Sequence, residues 1–279
     1  MRSNPLPFLL LLGTLSACDY VGFPDNSGSG GNNNNTDGPA RKVLLEDITG
    51  HKCNNCPAAA DQAKALQDIY GDALIVVGVH ATAFAEPGSP PYTADHRTSA
   101  GEEYATTFQV DGLPVGLVSR ALFNNALLIG DGSWSPAVAS IINTPADVEV
   151  LIDTVAYNSV ANSITFEVKI VPVNTLDGIH NLTVYLTEDS VIAPQIDNRA
   201  TPPDVPNYVH RHMLRDNLNG TWGAQLGTGS LPAGDTITVP FTYTLPTSVL
   251  EPAHCAVVAY VYRTDTYEVL QVEEHGITH

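Results

Sequence analysis

Two cysteines with two residues between them, Cys53 and Cys56, have the spacing of a redox-active pair. Pro57 follows directly, and proline suits the first turn of a helix because the N–H that it lacks would have no partner there. A thiol at a helix amino terminus lies near unpaired N–H groups and the positive end of the helix dipole, which favour the thiolate. These residues therefore predict a nucleophilic Cys53 and a resolving Cys56 in thiol–disulfide exchange.

The flanking sequence predicts the elements that must position this pair. Residues 41–48 have the mostly apolar run of a buried strand, and residues 49–52 are typical of a turn. Residues 58–70 have apolar positions at helical spacing and end at Gly71, and residues 73–80 predict a second buried strand. Such a βαβ unit places the cysteines at the carboxyl edge of the first strand, where sites in open α/β sheets usually lie.

Two residues outside the pair resemble positions of the thioredoxin-like fold. Asp47 lies six residues before Cys53, where thioredoxins have a buried carboxylate. Pro114 resembles the cis-proline of the loop that faces the cysteines, and residues 115–120 would form the strand that follows it. The resemblance implies that Asp47 manages the proton and that Pro114 shapes a groove for substrate backbone. The chain departs from thioredoxin in having no aromatic residue before Cys53.

Other interpretations of the cysteine pair stay open. The pair could be a fixed structural disulfide, with Asp47 as a buried, partnered carboxylate that transfers no proton. It could also supply half of a zinc site, which needs four ligands or three ligands and a water. A second pair of this spacing is absent, so the remaining ligands would come from His51, His80, His210 and His212. His51 and His80 are also candidates for supporting positions around the cysteines, although His80 fits a hydrogen-bonded histidine at a strand end. No cofactor is predicted.

The amino-terminal residues predict export and lipidation. Arg2 precedes the apolar run of residues 6–12, and Leu15-Ser16-Ala17-Cys18 follows. This ending resembles the bacterial lipobox, which implies cleavage after residue 17 and a lipid on Cys18. Residues 18–40 then form a flexible tether, since 18 of the 22 positions after Cys18 are Gly, Asn, Asp, Ser, Pro or Thr. The predicted membrane contact is a lipid anchor rather than a membrane span.

The sequence after residue 146 changes to a period of two. Short alternating segments punctuated by Gly, Pro, Asn and Asp predict an all-β immunoglobulin-like sandwich over residues 146–279. The predicted strands are residues 148–153, 163–170, 181–186, 236–243 and 255–262. Cys255 begins the last of these and has no obvious partner, so it is interpreted as a core thiol.

Two connecting segments are less regular. Residues 81–97 are rich in proline and small residues, which is typical of a lid, a binding loop or a disordered excursion. Residues 99–107 predict a short helix with Ser99 as its cap. His210 and His212 would share a face of an extended segment, which permits a weak metal site, although a polar strand face is the commoner arrangement.

Charge excludes one class of function. The chain has 12 Lys and Arg against 30 Asp and Glu, a formal net charge of -18, so it lacks the basic clusters that nucleic-acid binding requires. Its 43% hydrophobic content supports folded cores over most of the length.

The motifs together resemble the Omp28-related outer membrane lipoproteins of Gram-negative bacteria. The resemblance rests on the lipobox, the tether, residues 49–57, residues 112–114, and residues 210–212 with 222–223. It implies a thioredoxin-like α/β domain over residues 41–145, followed by the immunoglobulin-like domain, on a lipid-anchored protein of the outer membrane. The leading hypothesis is thiol–disulfide exchange on envelope proteins. The alternative is a non-enzymatic surface binding or adhesion module in which the Cys53–Cys56 bond is structural.

Overall fold

The computed structural model of the protein describes residues 38–278, so the predicted signal peptide, Cys18 and most of the tether lie outside the described residues. The first half runs β1 (Val43–Thr49), α1 (Cys56–Tyr70), β2 (Leu74–His80), α2 (Ser99–Thr107), β3 (Val115–Val118) and α3 (Trp134–Ile141). The second half runs β4 (Val148–Ile152), β5 (Val155–Asn158), β6 (Ser163–Pro172), β7 (His180–Glu188), β8 (Val191–Ile196), β9 (Asp204–His210), β10 (Met213–Asn217), β11 (Ala224–Leu226), β12 (Ile237–Thr244), β13 (Cys255–Arg263) and β14 (Val269–Thr278). Within residues 38–278, no helix has the length and apolar character needed to cross a bilayer.

β1 lies at the centre of the first half, and all seven of its residues are buried. It pairs in parallel with β2, with Thr49 opposite His80, and antiparallel with β3, with Ile48 opposite Val115. A strand that is mostly apolar and buried at every residue is typical of a sheet covered on both faces. The predicted βαβ unit is therefore present.

α1 begins at Cys56 with Pro57 in its first turn, and Gly71 follows it at φ 55°. Its apolar positions Ala59, Ala63 and Leu66 are buried against β1, β2 and α3. Helical spacing of small and apolar residues thus lets α1 pack closely on the sheet.

Two details of the first half differ from the sequence prediction. The cap of α2 is Thr98, whose extended backbone lets its hydroxyl accept from Gly101 N at 3.0 Å, whereas Ser99 is already within the helix. β3 ends at Val118 rather than at residue 120, because Ser119 and Arg120 have φ angles of 46° and 48° and turn the chain away.

Every segment predicted as a strand in the second half contains one, namely β4, β6, β7, β12 and β13. The sequence analysis did not predict β5, β8, β9, β10, β11 or β14. Most of these lie in connections or after the last predicted strand, where the alternation is short or interrupted. The fold as a whole is mostly β.

One mixed sheet runs through both halves. Its hydrogen-bonded order is β3, β1, β2, β10, β7, β13, β14, β5, β6 and β12, while β8 pairs with β9 separately. β10 joins β2 where Met213 lies opposite Gly78, and Gly78 N donates to His212 O at 2.9 Å. A Cβ at Gly78 would lie 3.2 Å from Arg211 O, so glycine permits this close approach.

A buried ion pair lies where the two halves meet, and we call it the arginine junction. Arg120 and Glu46 form two hydrogen bonds of 2.8 Å, and their side chains are 0% and 1% exposed. Tyr185 from β7 contacts both partners, at 2.9 Å from Arg120 and 2.8 Å from Glu46, and lies 2.7 Å from the hydroxyl of Tyr260. The Arg120 guanidinium also lies within 6 Å of the rings of Tyr104, Phe108, Trp222, Tyr260 and Tyr262.

Candidate functional site

The cysteine pair lies between the end of β1 and the start of α1. Cys53 and Cys56 are joined by a disulfide with a Cα–Cα distance of 5.4 Å. The preceding turn is held by Cys53 N, which donates to Gly50 O at 2.9 Å, and by Lys52 N, which donates to the carbonyl of Phe84 at 2.9 Å. A Cβ at Gly50 would lie 2.6 Å from that carbonyl, so only glycine fits here.

The disulfide is closed off from solvent, since Cys53 is 2% exposed and Cys56 is 1% exposed. The segment that covers it is the hairpin of β8 and β9, residues 191–210, which we call the cover hairpin. The Gln195 side chain donates to Cys53 O at 2.9 Å and to Gly50 O at 3.3 Å. The backbone N of Asn198 donates to Asn54 O at 3.1 Å. These bonds fasten the hairpin to the turn that carries Cys53, so a movement of the hairpin would expose that turn.

A cavity of about 220 Å³ lies beside the cysteines, and we call it the cysteine pocket. Its walls include Asp47, Cys56, His80, Tyr208 and His210. The Asp47 side chain is buried, and its Oδ1 has no hydrogen-bond partner among the described residues. Burial, with a smaller contribution from Asp131, raises the pKa of Asp47 from 3.8 to about 7. A carboxyl group with this pKa can accept or donate a proton near neutral pH.

Four buried histidines form a cluster next to this pocket, which we call the histidine cluster: His51, His80, His96 and His210. Ring centroids are 5.5 Å apart for His51 and His96, 5.5 Å for His80 and His96, 5.2 Å for His80 and His210, and 5.6 Å for His96 and His210. Among residues 38–278, His80 has no hydrogen-bond partner at either ring nitrogen, and His51 and His210 have none at Nε2.

The comparisons with known proteins identify the family. The sequence profile of the family described as Outer membrane protein Omp28 matches residues 101–279. The chain belongs to the Omp28 family. Family membership supports a place in the cell envelope or outer membrane for this Omp28-family chain. No curated protein matches the sequence.

Two solved structures, the first two described here, share the fold of this Omp28-family chain at low sequence identity. HBP35 of Porphyromonas gingivalis is 16% identical over 86% of this chain and 77% of its own, with a TM-score of 0.64. Protein AGR_C_4864 from Agrobacterium tumefaciens is 14% identical over 86% of this chain and 96% of its own, with a TM-score of 0.52. A domain of the outer membrane lipoprotein Omp28 from Porphyromonas gingivalis is 23% identical over 48% of this chain and 89% of its own, with a TM-score of 0.32.

The sequence-predicted site residues of this Omp28-family chain come together only in part. Asp47, Cys56 and His80 line the same pocket. Pro114 follows a cis peptide bond, and the pairing of Val115 with Ile48 places it at the end of β1 that leads to the cysteines. His51 lies in the turn before the cysteines and stacks on Tyr92 at 5.5 Å.

His210 and His212 would share a face only in an extended segment, and the segment is not extended at His212. His212 has a φ of 48°, and its Nε2 lies 3.0 Å from Gln67 Oε1. His210 belongs to the histidine cluster. His80 is not the hydrogen-bonded strand-end histidine that was expected, since neither ring nitrogen has a partner among the described residues.

Sequence reasoning missed His96 and Gln195. His96 lies in the irregular segment 81–97, where the spacing of residues does not indicate which side chains come together in the fold. Gln195 lies in a strand that was not predicted. Cys255 is a buried free thiol whose pKa burial raises to about 12, in line with a core position.

Proposed function

We propose that this chain is an outer-membrane lipoprotein, anchored through Cys18, that exchanges disulfides with other envelope proteins through Cys53 and Cys56. The proposal includes a thioredoxin-like half, residues 41–145, that carries the site, and an immunoglobulin-like half, residues 146–279. Family membership supports the envelope location. The order of β3, β1 and β2, with the cysteines between β1 and α1, supports the thioredoxin-like half.

The observation that carries the redox proposal is the state of Asp47. A buried carboxyl group without a partner for Oδ1 lowers stability, so a purely structural disulfide gains nothing from it. An exchange site does gain from it, because a thiol must lose or regain a proton when the disulfide opens and closes. Asp47 shares the cysteine pocket with Cys56 and has a pKa of about 7, so it can exchange that proton under neutral conditions.

The proposed reaction balances in two steps. In the reduced chain the Cys53 thiolate attacks a substrate disulfide, forms a mixed disulfide and releases one substrate thiolate. Asp47 then takes the proton from the Cys56 thiol, and the Cys56 thiolate attacks the Cys53 sulfur. The second substrate thiolate leaves, and the Cys53–Cys56 disulfide forms. A dithiol of the cell envelope reverses this chemistry and regenerates the reduced chain.

A second candidate function rests on the burial of the disulfide. Both cysteines are at most 2% exposed, and Gln195 and Asn198 fasten the cover hairpin over them. This arrangement favours a non-enzymatic binding or adhesion module, in which the bond staples the turn. The two candidate functions predict different reduction potentials for the Cys53–Cys56 disulfide. Structural disulfides have reduction potentials below about -300 mV, whereas those of catalytic pairs lie between about -120 and -270 mV.

The deciding experiment measures the reduction potential of the full mature chain against defined thiol buffers. Exchange predicts a value above about -270 mV, and a staple predicts one below about -300 mV. In a Cys255→Ala background, Cys56→Ser should accumulate a mixed disulfide with an envelope protein. The matched Cys53→Ser variant should accumulate none. Absence of any adduct with Cys56→Ser would reject exchange in favour of the staple.

A further inference from the structure

We propose that His80, His96 and His210 form a binding site for one divalent transition-metal ion of the zinc type, with the fourth position facing His51. Nothing in the proposed thiol chemistry uses these three imidazoles as ligands. They come from three separate parts of the chain: the end of β2, the segment 81–97 and the end of β9. Three parts of the fold thus bring the same metal-binding side chain to one buried place.

The separations of the three rings carry the proposal. Their centroids form a nearly equilateral triangle with sides of 5.2, 5.5 and 5.6 Å. With Zn–N bonds of about 2.0 Å and tetrahedral angles, two imidazoles on one ion have centroids about 5 Å apart. Among residues 38–278 no three His, Cys, Asp or Glu side chains already form a ligand set. Binding therefore requires the three rings to turn until their nitrogens converge on one ion.

The hydrogen bonding of the cluster also favours a metal site. A buried imidazole nitrogen without a hydrogen bond is costly, and both nitrogens of His80 and Nε2 of His210 are in this state. A coordinate bond to a metal ion would satisfy one nitrogen of each ring. Imidazole nitrogen suits zinc and its neighbours in the first transition row, whereas calcium and magnesium prefer oxygen ligands.

The electrostatics of the cluster are compatible with a cation. The Arg215 guanidinium is near enough to His80 and His96 to repel a cation bound between them. Its effect is offset by Glu188, whose carboxylate lies 2.9 Å away.

The test uses the full mature chain with its disulfide intact, freed of metal by dialysis against a chelator. Zn²⁺ is titrated in competition with a chromophoric chelator, and Co²⁺ is added separately for its visible spectrum. We expect one ion per chain, a tetrahedral Co²⁺ spectrum without thiolate charge-transfer bands, and no competition from Mg²⁺ or Ca²⁺. His96→Gln and His210→Gln should each weaken binding by more than about 100-fold, since loss of an outer-shell partner alone costs about 10- to 100-fold.

The matched control is His180→Gln, which removes an equally buried histidine from β7, outside the cluster. It should bind Zn²⁺ as the wild type does. Absence of Zn²⁺ binding by the wild-type chain at 100 μM Zn²⁺ would overturn the proposal, and this result does not depend on the folding of any variant. Unchanged affinity in both cluster variants, or binding that appears only after the disulfide is reduced, would also overturn it.

Discussion

The arginine junction and the cysteine pocket both bury ionisable side chains where the two halves of the chain meet, but they treat these groups differently. At the junction Glu46 accepts from Arg120 and Tyr185, and five aromatic rings surround the guanidinium. In and beside the pocket, Asp47 Oδ1 and both nitrogens of His80 have no hydrogen-bond partner in the part of the chain that the structure describes.

This difference distinguishes buried polar groups that stabilise the fold from buried polar groups that are available for function. At the junction the carboxylate and the two tyrosine hydroxyls are hydrogen-bonded, and Nη1 of Arg120 is the one atom of the network without a partner among residues 38–278. Such a network holds the two halves together. A buried group without a partner lowers stability, and the fold retains it where a proton, a ligand or a substrate completes it. The junction should therefore respond to substitution by losing stability, and the pocket by gaining it.

The largest expected effect is at the junction. Glu46→Ala leaves Arg120 as an uncompensated buried charge, which should lower the free energy of unfolding by about 4 kcal/mol. Denaturant unfolding followed by circular dichroism measures this. The control is Asp153→Ala, which breaks the exposed ion pair with Lys169 and should cost less than about 1 kcal/mol. A similar small loss in both variants would show that the junction is not what joins the halves.

The second prediction concerns the pH dependence contributed by Asp47. Its pKa is about 7 in the folded chain, against an ordinary value of 3.8. Because the pKa is higher in the folded chain, the protonated carboxyl group adds to the free energy of unfolding. This contribution is complete below about pH 4 and is lost as the pH rises through about 7. The wild type should therefore lose about 3 kcal/mol relative to Asp47→Asn between pH 5 and pH 8.

The measurement is the difference between the unfolding free energies of Asp47→Asn and the wild type across this range. The difference cancels other titrating groups such as Glu274, whose pKa burial also raises to about 7. Asp68→Asn, an exposed control, should stay within about 0.5 kcal/mol of the wild type. A constant gap between Asp47→Asn and the wild type would mean that Asp47 finds a partner in solution.

The same contrast explains what sequence could and could not predict. The βαβ unit followed from local signals: the apolar run of β1, the helical spacing after Pro57 and the stop at Gly71. The cysteine spacing and the place of Asp47 were likewise visible along the chain. These features depend on residues close together in sequence.

The cover hairpin and the histidine cluster could not be predicted in this way. The strand that follows the cover hairpin, β10, pairs with β2 at Gly78, where the absence of a side chain permits the close approach. This is a property of packing and not of sequence periodicity. His51, His80, His96 and His210 meet only after four segments have been placed. Likewise, the partner of Glu46 is 74 residues away, so no spacing rule connects the two.

The third prediction tests how firmly the cover hairpin closes the pocket. Gln195→Ala removes the hydrogen bonds to Cys53 O and Gly50 O. Each bond contributes about 0.5 to 1.5 kcal/mol, so the open form should become about tenfold more populated. Reduction by a small phosphine, followed by thiol trapping, should accelerate by the same factor. Gln225→Ala, which removes a surface bond to Gly227 O, should leave the rate unchanged. Equal rates in all three chains would place the barrier elsewhere.

The last prediction compares the effects on stability of one substitution in the arginine junction and one in the histidine cluster, both in the metal-free chain. Tyr185→Phe removes a hydroxyl that contacts Arg120, Glu46 and Tyr260, so it should lower the free energy of unfolding by about 2 kcal/mol. His80→Leu replaces a ring with two unpartnered nitrogens by an apolar side chain of similar volume, so it should raise that free energy by about 1 kcal/mol. Denaturant midpoints measured at pH 7 give both values. If His80→Leu destabilises the chain as Tyr185→Phe does, the cluster belongs with the junction as a structural network. The opposite signs are expected because Tyr185→Phe removes a hydroxyl that makes three hydrogen-bond contacts, whereas His80→Leu removes a buried polar ring that makes none among residues 38–278.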